Sequence, residues 1–278
     1  MDGLAGTKAY LGLVPTDDPL RYELPLRPHV MSAGGFLYGG AGLAAAIAAM
    51  ELSTGRPVVW ATAQYIAHAR PPGTLRLDVV ISAHGRNTTQ ARCVVTHDTG
   101  DGGAAEILVA LATLGRKDLP VAGTWAHPPA VTPWQETRQQ LPAAVLGTVH
   151  EALDMRIVHG VSRRQLLKGR THRDPSGRAA FWLRIPGGRK VPDAADLAMV
   201  GDVVPASFAN VSGEPITGNS LDNTIRTAEL VETEWVLADV QVHALQDGFG
   251  YGRAHLWAED GTLLGTASQS SVIRTPGR

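Results

Sequence analysis

Asp222, Gln269 and His243 stand where this chain could do chemistry, and Asp202 is one further carboxylate to watch. Each also has an ordinary reading. Asp222 precedes Asn223, a setting in which a carboxylate often caps its own backbone. Gln269 lies in an alternating stretch where its amide could satisfy a neighbouring backbone group, and His243 is one of ten histidines in the chain. Asp202 sits on a helical stretch, where a carboxylate can simply face water. A nucleophile route lacks its motif, since no Gly-x-Ser-x-Gly occurs. Neither a Gly-x-x-x-x-Gly-Lys-Ser/Thr run nor a strand-to-helix Gly-x-Gly-x-x-Gly is present, so nucleotide hydrolysis and a dinucleotide cofactor find no support. Cys93 and His97 have a loose ligand-like spacing without a second pair, so no metal site is expected. Backbone groups supply the remaining chemistry. Gly39 and Gly40 open a helix whose first N–H groups could hold a carbonyl or a developing oxyanion. In Gly248-Phe-Gly-Tyr-Gly252 the glycines share one strand face, so Gly248 and Gly250 permit close approach of a ligand.

The elements that must position these groups follow from periodicity. From Ala41 to Leu52 only Glu51 is charged, so Gly39 to Gly55 predicts a helix with no face for water, stopped by Gly55 and Pro57. It is too short to span a bilayer. A sheet must wrap it. Leu20 to Leu26 alternates, and Val58 to Ala67, Thr74 to Ala83, Gln90 to His97 and Glu106 to Leu114 read as four strands. Arg70 to Gly73, Gly85 to Asn87 and Thr99 to Gly103 separate them as turns, which predicts antiparallel neighbours in chain order. Prolines interrupt residues 116–150, a linker with a short helix near Ala143 to Ala152. Beyond it come strands near Met155 to Gly160 and Ala179 to Ile185, a helix from Asp193 to Ala209, and strands again to Ile273.

With 278 residues, 44% hydrophobic content and net charge -1, the chain has the composition of a soluble globular protein. Its 25 basic and 26 acidic residues show no long run, which argues against nucleic acid or an anionic membrane as partner. A single cysteine and a start without an export pattern point to the cytoplasm.

The second half repeats the first. Gly55-Arg-Pro57-Val58 is echoed by Gly213-Glu-Pro215-Ile216, an offset of 158 residues (213 less 55). Carried forward, the offset pairs Gln64 with Asp222. Small adjustments pair Leu77 with Leu237, Arg92 with Arg253, and Asp101-Gly102 with Asp260-Gly261. Each half is a helix, a Gly-x-Pro and four antiparallel strands. The fold class is therefore α+β, two hotdog units in one chain: residues 1–116, a linker at 117–150, and residues 151–278.

Several stretches carry the resemblance further: Phe36-Leu-Tyr-Gly-Gly40, Ser220-Leu-Asp222, Glu234-Trp235, Asp260-Gly-x-Leu-Leu264 and Ala267-Ser-Gln269. Together they resemble the acyl-CoA thioesterase II family over most of the chain except the linker. That resemblance implies hydrolysis of an acyl-CoA thioester to free acid and CoA by direct attack of water, without a cofactor. It further implies that an Asp, a hydroxyl residue and a Gln of the second unit orient the water. Asp222 falls at the aspartate and Gln269 at the glutamine. Counted from Trp235 and back from Arg253, the hydroxyl position falls on His243, which could hydrogen-bond the same water or act as a base near neutral pH. In the first unit the equivalents of Asp222 and Gln269 fall near Gln64 and Thr113. Neither is a carboxylate, so one site per chain is expected, with Gln64 lining the acyl pocket. Two rivals remain open on the sequence: an enoyl-CoA hydratase on the same fold, and a non-catalytic acyl-CoA binding protein. Hotdog units associate through their sheets, so a homodimer of the whole chain is expected.

Overall fold

The computed structural model of the chain describes residues 6–98, 103–137 and 145–275. The turn from Thr99 to Asp101-Gly102, with Pro142 to Ala144, lies outside the described residues. In chain order the elements are α1 (Thr7–Leu11), β1 (Val14–Pro15), β2 (Arg21–Pro25), α2 (Gly39–Thr54), β3 (Val58–Tyr65), β4 (Thr74–His84), β5 (Thr88–Asp98) and β6 (Ala104–Gly115). The second half adds α3 (Val149–Leu153), β7 (Arg156–His159), α4 (Arg163–Leu167), β8 (Arg178–Arg184), α5 (Ala194–Gly201), α6 (Val204–Ser212), β9 (Thr217–Ser220), β10 (Asp222–Thr227), β11 (Trp235–Gln246), β12 (Phe249–Ala258) and β13 (Leu263–Arg274).

Helix α2 is buried from Gly40 to Glu51, as a helix with no polar face must be. Its one charge is neutralised in place: Glu51 Oε1 accepts the Val58 N–H at 2.9 Å, and Oε2 pairs with Lys8 Nζ at 2.9 Å. Gly55 ends the helix in the left-handed conformation, and Gly213 ends α6 the same way.

Among the described residues the strands form one 13-stranded antiparallel sheet, ordered β1-β2-β4-β5-β6-β3-β10-β13-β12-β11-β8-β7, with β9 pairing β13. The sheet curls over two helical layers, α2 in the first half and α5 with α6 in the second. It is a double hotdog. The halves join where β3 meets β10, and there Gln64 lies directly opposite Asp222. These are the two residues that the 158-residue offset equates, as happens where a pseudo-twofold axis passes between antiparallel strands.

Two expectations are corrected. Strands β3 and β4 are not neighbours: residues 66–73 carry the chain across the sheet, β6 pairs with β3, and β2 takes the free side of β4. The single helix from Asp193 to Ala209 is two, broken at Asp202 and Val203. Pro205 has no N–H to return to Gly201, so a continuous helix would strand that carbonyl.

The linker is anchored through Thr132 and Trp134. Trp182 Nε1 donates to the Thr132 carbonyl at 3.0 Å, and the Trp134 ring stacks on Trp235 at 4.7 Å. Residues around 126–134 thereby cover a cluster formed by Ala180, Trp182, Trp235, Leu237 and Trp257. No helix among the described residues is long and apolar enough to cross a membrane.

Candidate active site

The break between α5 and α6 gathers a group of polar side chains. Asp202 occupies the break, so its side chain leaves the helical layer, and the Val204 N–H is released from helical bonding. That N–H donates to Gln269 Oε1 at 3.1 Å. Gln269, fully buried on β13, is thereby oriented with Nε2 toward Asp202 Oδ1 and toward Ser220 Oγ, the latter at 3.1 Å. Ser220 Oγ donates in turn to Asp202 Oδ1 at 3.3 Å. Three elements thus bring a carboxylate, a hydroxyl and an amide into mutual contact.

The first half completes the setting. The Gly40 N–H donates to Asp202 Oδ2 at 2.7 Å. Close approach explains the glycines: a Cβ on Gly40 would lie 2.6 Å from the Ala198 carbonyl oxygen, and one on Gly39 would lie 2.8 Å from Asp202 Oδ2. Tyr38 Oη donates to the Asp202 carbonyl at 2.9 Å, capping the end of α5, and Tyr65 Oη donates to the Gly39 carbonyl at 2.8 Å. Burial pushes both phenols well above their ordinary range, which keeps them neutral donors. It also raises the Asp202 carboxyl, while Gln269, the Gly40 N–H and Ser220 pull it back by hydrogen bonding the charged form. Among the described residues no cluster of three or more histidine, cysteine or acidic side chains is arranged to hold a metal ion.

Gln269 stands in this group, but Asp222 and His243 do not. The Asp222 carboxylate accepts the Ser270 N–H at 2.7 Å. At that point β13 changes partner from β9 to β10, so a ladder donor is left over and the carboxylate takes it up. His243 is the extra residue of a bulge between Val242 and Ala244, exposed and stacked on Tyr251 with ring centroids 5.2 Å apart. Gln64 is exposed on β3. Gly248 follows Asp247 in a two-residue hairpin turn, both with positive φ (81° and 52°), and a Cβ on Gly250 would lie 2.6 Å from Phe208. Ser220 is the residue that sequence reasoning missed. Its signal lies in Ser220-Leu-Asp222, two positions before Asp222, and that of Asp202 lies in Pro205, three residues on.

Curled sheet, paired central helices and a polar site at the helix break define a double hotdog protein. Residues 120–273 match the family model of the acyl-CoA thioesterase C-terminal domain. A structure from Novosphingobium aromaticivorans described as a thioesterase is 30% identical, covering 94% of this chain and 98% of its own, with a TM-score of 0.79. The chain belongs to the acyl-CoA thioesterase family. Two further structures share the fold. A hot dog protein from Alicyclobacillus acidocaldarius is 17% identical over 97% of this chain and 98% of its own (TM-score 0.81). An acyl-CoA thioesterase II from Mycobacterium marinum is 16% identical over 98% and 99% (TM-score 0.72). None of the curated proteins compared matches the chain.

Proposed function

We propose that this protein hydrolyses an acyl-CoA thioester by direct attack of a water molecule held by Asp202, Ser220 and Gln269. The carrying observation is the convergence of Gln269 Nε2 and Ser220 Oγ on Asp202 Oδ1. A water in this group meets an acceptor for its proton in Asp202, and hydrogen-bonding groups in Ser220 and Gln269 that fix its direction. The water oxygen bonds to the thioester carbon, its proton passes to Asp202, and the carbonyl oxygen becomes an oxyanion. The amino end of α2 gives its Gly40 N–H to Asp202, and the N–H groups beside it, which have no intrahelical partner, stabilise that charge. Collapse of the intermediate breaks the carbon–sulfur bond, and the CoA thiolate takes up the proton.

The same trio answers the implied pattern of aspartate, hydroxyl and glutamine without recourse to His243. The 158-residue offset sets Ala44 opposite Asp202 (202 less 158), so the first half has no carboxylate there and one site per chain follows. We take residues 1–116 and 151–278 as the two units and 117–150 as the strap between them. Two copies associate through their sheets in this reading. Val80, Arg92 and Leu111 support it, standing in register on one exposed face. A cytoplasmic setting agrees with Cys93, a buried free thiol.

Free-thiol release from a panel of acyl-CoAs tests the function. Steady release abolished in Asp202→Asn supports it, whereas tight binding of acyl-CoA without turnover by the parent protein would refute it.

A further inference from the structure

The charges that look evenly spread over the chain are not even around α4. Residues 163–173 hold Arg163, Arg164, Lys168, Arg170 and Arg173 and no acidic residue. All but Arg163 are exposed, and none of the ion pairs among the described residues involves them. Arg163 Nε donates to the Pro215 carbonyl at 2.8 Å, and the His172 carbonyl packs against Gly213. Both ends of the basic segment are thus fastened to the carboxyl end of α6.

Beside it opens a cavity of about 470 Å³, within the size range of small-ligand sites. Its wall includes Arg173, Ser176, Gln241 and His243. One acid lines it, Asp174, and that carboxylate is occupied by Ser176 Oγ and His159 Nε2; the Ser176 bond above all holds it down at about 2. His243 and Tyr251 supply a stacked aromatic pair at the rim.

The place of this cavity relative to Asp202 is set by two routes. Helix α6 begins at Val204, bonded to Gln269, and its nine residues reach the basic segment about 13 Å away. Across the sheet, Gln269 pairs with Gly252 and Gly252 with Val242, which lines the cavity, a step of two strands or roughly 10 Å. The pantetheine arm of a thioester at Asp202 ends in phosphates and adenine, and its chain of single bonds is longer than this distance when extended, so a bent arm reaches the cavity.

We propose that the cavity and the basic segment bind the phosphorylated nucleotide of CoA. Arg164, Arg170 and Arg173 meet the diphosphate and 3′-phosphate, and His243 on Tyr251 offers a stacking platform to the adenine. The inference rests on the thioesterase reading for its substrate, and it gives His243 a binding role away from the bond that breaks.

Two measurements on the full chain test it. Calorimetry with adenosine 3′,5′-bisphosphate should show binding that weakens about tenfold in Arg170→Ala/Arg173→Ala, the loss expected for charge-assisted bonds. The probe needs no turnover, so binding in a protein that hydrolyses nothing would retain the subsite while removing the hydrolase reading. In turnover, the preference for acyl-CoA over the matching acyl-pantetheine should fall about tenfold in the same variant through KM, and His243→Ala should reduce it in the same direction. Hydrolysis with no preference between the two substrates, absence of probe binding, or an effect of the arginines confined to acyl groups on an acidic carrier protein would overturn the proposal.

Discussion

The Gly40 N–H of the first unit donates to Asp202 Oδ2 of the second over 2.7 Å, so the carboxylate of one half is held by the helix start of the other. The first unit's helix therefore does more than fill its own sheet. Its Tyr38 caps the carbonyl of Asp202, and its Gly39 and Gly40 allow the approach that a side chain would block.

Gly40→Ala should for that reason damage both stability and catalysis. The new methyl group meets the Ala198 carbonyl oxygen at 2.6 Å and must displace α2 from α5. A loss of about 1–3 kcal/mol in urea unfolding is expected from such overpacking, with a fall in kcat in the protein that remains folded. An unchanged kcat would mean that the contact to Asp202 has no part in turnover.

Ser220→Ala and Gln269→Ala remove the two groups that converge on Asp202 Oδ1. Each should lower kcat by about ten- to a hundredfold, since each removes one hydrogen bond to a charged group or to the water it directs. Gln269→Ala also leaves the Val204 N–H unpartnered in the core, so it should cost more stability than Ser220→Ala does.

The pH profile should carry the signature of the Asp202 carboxyl. Burial raises it above the ordinary carboxylate range, and the base must be ionised to accept a proton. Activity should fall as pH drops through that raised value, giving an acid limb in kcat/KM above the usual carboxylate range near about 4. Gln269 is the largest of the groups pulling the carboxyl down, so Gln269→Ala should move the limb higher still. A limb that stays in place in this variant would assign it to another group.

A second carboxylate makes stability itself depend on pH. Asp196 is buried at the start of α5, where it meets Thr7 Oγ1 and, at 2.6 Å, Lys190 Nζ. Burial, reinforced by Asp193 and opposed by Lys190, raises it from 3.8 to about 6. A carboxyl raised on folding contributes stability that is present in full below its unfolded value and is lost as pH rises through the folded one. Unfolding free energy should therefore carry a downward component between about pH 4 and 6, which Asp196→Asn abolishes.

Much of the fold was legible because burial writes itself into composition. Ala41 to Leu52 has no polar face, and the Gly-x-Pro pairs at 55–57 and 213–215 end equivalent helices. Strand pairing was less legible: nothing in residues 66–73 distinguishes a turn from a crossing, and β6 reaches β3 from far along the chain. The helix break could be read from Pro205, yet a mostly apolar stretch on both sides of Asp202 hid it. At the candidate site, Gln269 could be found from its neighbours. Asp222 and Ser220 lie within one short motif, and only the three-dimensional register separates them. The change of strand partner at Ser270 turns Asp222 to a backbone N–H and leaves Ser220 facing Asp202.

The direct test of the account compares two aspartates in one assay. Free-thiol release from a saturating acyl-CoA should fall about 10²- to 10⁴-fold in Asp202→Asn and stay within a few-fold of the parent in Asp222→Asn. Loss of turnover in Asp222→Asn with activity retained in Asp202→Asn would contradict it.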